Sequence, residues 1–221
     1  MMNLLELLKI KKQIFKEKEL DFISFLEEKK KYKQYFRFLF VYSKITKEVL
    51  YSMFEGLLKE ILIIEFDQFT MVIYHNKERV ILNNYLDALS EDYGYKINVF
   101  EGFLIDKDQT DFFKDFLILY YQNYQNNLTY STISNLILNT QLKKEELKII
   151  KKILLSKYLK EIQFEKFIFS LFENNLNVSK TAKDMYMHRN TVNNKLANFE
   201  NDTTLVLQNF KDAIVVYELL K

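Results

Sequence analysis

From Phe36 to Gln125 the hydrophobic period of the chain changes repeatedly, and this alternation restricts the fold more than any other feature. Phe36–Tyr42 is an aromatic and aliphatic run of strand length. Thr46–Glu60 sets Val49, Met53 and Leu57 on one helical face. Ile61–Phe66 and Phe69–Tyr74 are rich in strand formers and separated only by Asp67-Gln68, which reads as a hairpin. Lys77–Tyr93 is helical, with Val80, Leu82, Leu86 and Leu89 as its apolar positions and Gly94 to end it. Tyr95–Ile105 reads as a strand with Gly102 at a bulge or bend. Asp108 to about Gln125 is a helix rich in Phe, Leu and Tyr. The order β-α-β-β-α-β-α is that of a split βαβ, ferredoxin-like sandwich: an antiparallel sheet with helices on one face.

The flanks are helical. Residues 1–35 form an amphipathic segment carrying Leu4, Leu5, Leu8, Ile14, Phe15, Phe22, Phe25 and Leu26 at mixed helical spacings. Its Lys29-Lys30-Lys31 run suits DNA or a membrane surface, or simply solvates a helix end. Residues 126–142 read as a connection with one small helix or arm around Ile133–Leu138. Residues 143–221 form an all-helical domain. Its helices are Glu145–Leu159, Phe164–Glu173 ended by Asn174-Asn175, a pair between Val178 and Phe199, and Phe210–Leu220. The last helix offers Phe210, Ile214, Tyr217 and Leu220 for packing behind the pair or across a dimer interface. The fold class expected is α+β, a sandwich over 36–125 followed by this helical domain.

The pair at 178–199 is the functional focus. Val178, Ala182 and Met185 turn one face of a short helix inward, and Asn177 or Ser179 can cap its first turn. Tyr186-Met187 breaks the register. A second helix starts near His188 and buries Val192, Leu196 and Phe199. Two short helices in tight succession make either a plain helical hairpin or a helix-turn-helix. Ala182 lets their backbones approach. The second helix points Arg189, Asn190, Asn193, Asn194 and Lys195 outward, residue types that bond adenine and guanine edges or phosphates. Between Leu176 and Asn198, Lys180, Lys183, Arg189 and Lys195 face the single acid Asp184, a modest basic patch.

Thr181-Ala182, then Met187-His188-Arg189-Asn190-Thr191, then Lys195-Leu196 resembles the C-terminal helix-turn-helix of the PucR/CdaR family of bacterial transcriptional regulators. That motif runs roughly Thr-Ala, a hydrophobic residue with His-Arg-Asn-Thr, then Arg-Leu, and is similar to the DNA-binding end of the Fis protein. The likeness covers about Leu171 to Leu220. Asn194-Lys195-Leu196 departs from the family's aromatic-Arg-Leu, and Thr203-Thr204 stands where the family tends to place Gly. Lys keeps the charge without the forked guanidinium, so base preference at 195 does not carry over. The resemblance implies double-stranded DNA as partner. Arg189, Asn190, Asn193, Asn194 and Lys195 would lie at the bases, Ser179, Lys180 and Thr181 on the backbone, and Thr191 on the same surface. His188 either reaches a phosphate or caps the helix. Such motifs work in pairs about 34 Å apart, so a homodimer is expected.

The preceding sandwich resembles the degenerate GGDEF-like domain often found before this motif. Asp67-Gln68-Phe69 falls at the hairpin where cyclases carry Gly-Gly-Asp/Glu-Glu-Phe, but Glu65 and Phe66 replace the glycines that let a nucleotide approach the backbone. The first strand has no carboxylate for a metal. A domain without cyclase activity, packing or sensing an unknown small-molecule effector, is the expectation.

Composition narrows the alternatives. A chain of 221 residues that is 48% hydrophobic can build a sizeable core, so disorder is not expected. There is no Cys for disulfides or thiolate metal sites. Three glycines cannot build a P-loop or dinucleotide fingerprint, and no Gly-x-Ser-x-Gly elbow occurs. No enzyme activity and no cofactor is therefore expected. His75 reads as structural or solvent-facing, and Glu65 with Asp67 as a surface hairpin and not a metal site. No apolar run approaches ~18 residues and no signal peptide is evident, so a cytoplasmic protein without membrane contact is expected. The rival function is a protein–protein interaction or scaffold module that has the helix-turn-helix shape without touching DNA.

Overall fold

The computed structural model describes residues 4–11, 13–28, 31–94, 96–123 and 128–221. Met1–Asn3, Lys29 and Lys30 of the lysine run, Tyr95, Gln125 and Asn126 lie outside them. The fold is α+β, and the chain divides into two compact units, 1–133 and 134–221. No helix among the described residues is long and apolar enough to cross a membrane.

The first unit contains α1 (Leu4–Leu7), α2 (Glu17–Leu26), β1 (Arg37–Tyr42), α3 (Lys47–Phe54), β2 (Leu62–Glu65), β3 (Thr70–Tyr74), α4 (Asn83–Tyr93), β4 (Asn98–Glu101), α5 (Thr110–Asn123) and β5 (Tyr130–Ser131). The sheet order is β2-β3-β1-β4-β5. The first four strands pair antiparallel in the split βαβ arrangement, and the short β5 adds in parallel beside β4.

Helices cover both faces of this sheet, which corrects the one-face expectation. On one face Leu39, Val41, Ile63 and Val72 meet Leu50, Met53 and Phe54 of α3 and Leu86 and Leu89 of α4. On the other, the Phe38 ring lies 5.0 Å from Phe113 of α5, Phe40 lies 4.4 Å from Tyr120, and Phe22 of α2 lies 5.2 Å from Phe36. The cause is in the strands. Phe38-Leu39-Phe40-Val41 and Met71-Val72-Ile73-Tyr74 are apolar without alternation, so neither face can stay wet. Edge-to-face ring pairs add roughly 0.5–1.5 kcal/mol each beyond the area they bury.

Three buried charges tie the helices and loops to the sheet. Glu19 of α2 accepts from Lys16 N at 2.8 Å, Lys47 Nζ at 2.7 Å and Ile63 N at 3.2 Å. Arg79 grips Glu101 with two bonds of 2.8 and 3.0 Å, and Tyr130 donates to the same carboxylate. Arg37 donates to the carbonyls of Asn76 and Lys77 at 3.1 and 2.9 Å. These last bonds fix 76–79 as a loop, so α4 starts at Asn83 and not at Lys77. Likewise α3 stops at Phe54, because Lys59 N bonds the Asn76 side chain and His75 N bonds Lys59 O. Gly94 ends α4 at φ 67°. Gly102 directly follows β4: a Cβ there would lie 2.4 Å from the Phe38 ring, so the ring occupies the space of the missing side chain.

The second unit comprises α6 (Ile133–Asn139, starting at the boundary), α7 (Lys144–Leu155), α8 (Phe164–Glu173), α9 (Val178–Asp184), α10 (Arg189–Thr203) and α11 (Phe210–Leu220). Helix α11 buries Ala213, Val215, Val216 and Leu219. Of the four side chains expected to pack, Leu220 is buried, whereas Phe210, Ile214 and Tyr217 face solvent. Buried Asp212 sets this rotation: it accepts from Val206 N at 2.9 Å and from the Ser134 hydroxyl.

Candidate nucleic-acid interface

Two C-terminal stop signals without glycine create the angle between α8, α9 and α10. After α8, Leu176 N bonds Leu171 O at 2.8 Å and Asn175 N bonds Phe172 O at 2.9 Å, with Asn175 at φ 54° and Leu176 at φ 61°. After α9, Met187 N bonds Ala182 O at 2.8 Å and Tyr186 N bonds Lys183 O at 3.2 Å, with Tyr186 at φ 52°. Both are Schellman closures, which satisfy the last free carbonyls of a helix and turn the chain abruptly.

Caps fix the helix starts. The Asn177 side chain accepts from Ser179 N and Lys180 N, both at 3.1 Å. His188 Nδ1 accepts from Asn190 N at 3.2 Å, so of its two expected roles the imidazole takes the cap. Neither α9 nor α10 has an acidic residue in its first turn, whereas α7, α8 and α11 do. The positive ends of their helix dipoles are thus left uncompensated.

Helix α10 is held from behind. Val192, Leu196 and Phe199 are buried, and Phe199 meets the rings of Tyr158 at 5.0 Å and Phe164 at 5.8 Å. Burying each such side chain contributes about 1.5–3 kcal/mol. Tyr158 donates to Asp202 Oδ2 at 2.8 Å, and burial followed by the Asp202 charge raises its hydroxyl pKa. The recognition helix is therefore positioned by its core and not by its exposed face.

Of the ten residues expected at DNA, eight are exposed: Ser179, Lys180, His188, Arg189, Asn190, Thr191, Asn193 and Asn194. Among the described residues, the side chains of Arg189, Asn190, Asn193 and Asn194 bond no other group of the chain. Thr181 is a correction. It is 0% exposed, and its hydroxyl donates to Asn177 O at 2.9 Å inside α9, so it offers nothing to a DNA backbone. Lys195 is another. Half-buried, it leans over the Phe167 ring at 5.8 Å and reaches Glu161 at 3.6 Å, which takes it off the outward row. Ala197 and Asn198 were not anticipated. Both are exposed, one turn beyond Asn193 and Asn194, and helical spacing from those two asparagines would have found them. Asp184, the one acid of the patch, accepts from the Ser170 hydroxyl of α8.

Thr204 follows α10 at φ 65°, a left-handed conformation that suits Gly. Its hydroxyl is buried, and Thr204 N closes the helix onto Glu200 O at 2.8 Å. A β-branched residue is strained in this conformation.

Comparison with known proteins agrees with this geometry. The family model of the PucR C-terminal helix-turn-helix domain matches residues 167–221, which contain α9, α10 and α11 and most of α8. No curated protein matches the chain. Among solved structures, the crystal structure of a regulator of polyketide synthase expression from Bifidobacterium adolescentis is similar at 13% identity and a TM-score of 0.40. That match covers 100% of this chain and 97% of the other, a likeness too slight to bear on function. The C-terminal residues 167–221 of this chain form a PucR-type C-terminal helix-turn-helix domain.

Proposed function

We propose that the chain regulates transcription by laying α10 in the DNA major groove, where Arg189, Asn190, Asn193 and Asn194 read base edges and Ala197 meets a thymine methyl group. Ser179, Lys180 and Thr191 hold phosphates, helped by the uncompensated helix N-termini. The observation that carries this is the exposed row of unpaired Arg and Asn side chains on a helix whose opposite face is fixed by Val192, Leu196 and Phe199. An exposed amide row contributes little to folding, but it matches adenine edges. The assembly on DNA is a homodimer, and the protein works in the cytoplasm without catalytic activity.

The sandwich is the regulatory unit, a degenerate GGDEF-like domain without cyclase activity. In support, Phe66 and Phe69 at the β2–β3 turn are buried with their rings 5.5 Å apart, so the turn where cyclases approach a nucleotide is packed with aromatic side chains. A small-molecule effector would enter the cleft of about 520 Å³ bordered by Lys18, Asp21, Lys31, Tyr32, Lys33, Gln34 and His75.

The scaffold reading is favoured by one observation: Lys195 is turned to Glu161 and does not join the outward row. A salt series separates the two. Fluorescence anisotropy on DNA recovered by genomic footprinting should show affinity falling steeply with salt, because phosphate contacts release counterions. Absence of any DNA binding at low salt would overturn the regulator reading.

A further inference from the structure

Four large apolar side chains of the C-terminal unit face solvent together: Phe169 of α8, and Phe210, Ile214 and Tyr217 of α11. Half-buried Phe172 joins them, its ring 5.8 Å from Tyr217 and 6.4 Å from Phe169. Between α8 and α11 they leave a groove of about 320 Å³, lined by Asn175 and by the apolar side chains of Phe172, Leu176, Phe210, Ala213, Ile214 and Tyr217. Phe210 projects from its rim with 74% of its surface exposed. The Asp212 anchor described above holds α11 in this rotation, so the apolar stripe is kept outward by a buried bond network.

We propose that this groove receives Phe210 of a second copy of the chain, making the α8–α11 face the two-fold surface of the homodimer. Three features select a second copy over another partner. A two-fold interface pairs one patch with itself, so the patch must carry both a knob and a hole; Phe210 and the groove beside it are such a pair. The surface charges along α8 and α11 that flank these side chains balance, Glu165, Glu173 and Glu218 against Lys166, Lys211 and Lys221, with a 2.9 Å pair between Lys221 and Glu218. Such a rim can meet itself without repulsion and presents no net charge to attract an acidic or basic peptide. At roughly 200 Å² per aromatic side chain, the exposed fractions amount to roughly 350 Å², a patch of functional size and nearly half of the ~800 Å² per partner in a standard interface. The proposal deepens the regulator reading, which calls for two recognition helices per site, but its chemistry is independent of DNA.

Sedimentation velocity on the full chain at micromolar concentration tests it. The wild-type protein should sediment as a dimer. Phe210→Ser, at an exposed position, should raise the dimer dissociation constant about tenfold or more and leave the melting temperature within about 2 °C. Ile214→Glu should act in the same direction; if it lowers the melting temperature, Phe210→Ser decides. A wild-type monomer, or a Phe210→Ser protein that dimerises like wild type, overturns the proposal. A wild-type monomer that still binds DNA through Arg189 would remove the dimer face and leave the regulator reading intact. A dimer that Phe210→Ser dissociates but that has no DNA affinity would do the reverse.

Discussion

In the sandwich, Glu19, Arg37 and Glu101 are buried, and each meets partners from other elements: a lysine and a backbone amide, two carbonyls, an arginine and a tyrosine. On α10 the polar side chains of Arg189, Asn190, Asn193 and Asn194 stand in water and bond nothing in the chain. A buried polar group without a partner costs about 1–3 kcal/mol, as the hydroxyls of Tyr74 and Thr204 do, and a buried charge costs more, so burial presses charged side chains toward partners within the chain. A polar row at the surface is under no such demand, and its composition is free to follow a partner. The same residue types therefore report folding in one unit and recognition in the other.

The largest test of that contrast is Glu101→Ala, which strands Arg79 in a site where its side chain is 13% exposed. Breaking one half of a buried pair costs about 3–5 kcal/mol, read as a fall in the denaturant midpoint. A loss under about 1 kcal/mol would place the pair among surface salt bridges and undo the comparison. Thr204→Gly should work in the opposite direction. It relieves a left-handed β-branched residue and removes a buried hydroxyl without a partner, so the C-terminal unit should gain about 1 kcal/mol. Loss of stability would mean that the methyl group of Thr204 packs more than it strains.

The smallest effect is a pH dependence of the sandwich. His75 bonds Tyr32 Oη through Nε2 at 2.9 Å and Glu60 O through Nδ1 at 3.2 Å. Burial holds its pKa below the ordinary 6.5, and burial pushes the Tyr32 hydroxyl up to about 12. The unfolded chain thus takes the imidazole proton at a higher pH than the folded one. Stability from His75 is complete above 6.5 and is lost as pH falls below it. Melting temperatures between neutral and mildly acidic pH should fall further for wild type than for His75→Gln. Equal falls would take His75 out of the account.

Element order was legible because period changes are local. The helices at Phe164–Glu173 and Phe210–Leu220 and the strand at Phe36–Tyr42 emerge within a residue of their expected limits. What failed was the choice of face. Helix α11 reads Phe-Lys-Asp-Ala-Ile-Val-Val-Tyr-Glu-Leu-Leu, apolar on most sides, so spacing alone cannot rank Phe210, Ile214 and Tyr217 against Ala213, Val216 and Leu219. The second covered face of the sheet was present in Phe38-Leu39-Phe40-Val41, a run without alternation, but α5, which packs Phe113 and Phe116 on it, lies some seventy residues further along the chain. Thr181 shares the turn of Val178, Ala182 and Met185, so its burial follows from the stripe that located α9. Lys195 lies three residues after Val192 and four before Phe199, beside the buried stripe of α10, and Glu161 comes from outside the motif. Distant partners of this kind have no signature in local spacing.

The central claim is that the outward row of α10 lies against base pairs. Its most direct test is the affinity of Arg189→Ala, Asn193→Ala and Asn194→Ala for the footprinted DNA, by fluorescence anisotropy at fixed salt beside the melting temperature of each variant. The account predicts a loss of about 1–3 kcal/mol for a base-reading residue, with folding stability changed by less than about 0.5 kcal/mol. Wild-type affinity in all three variants would contradict it.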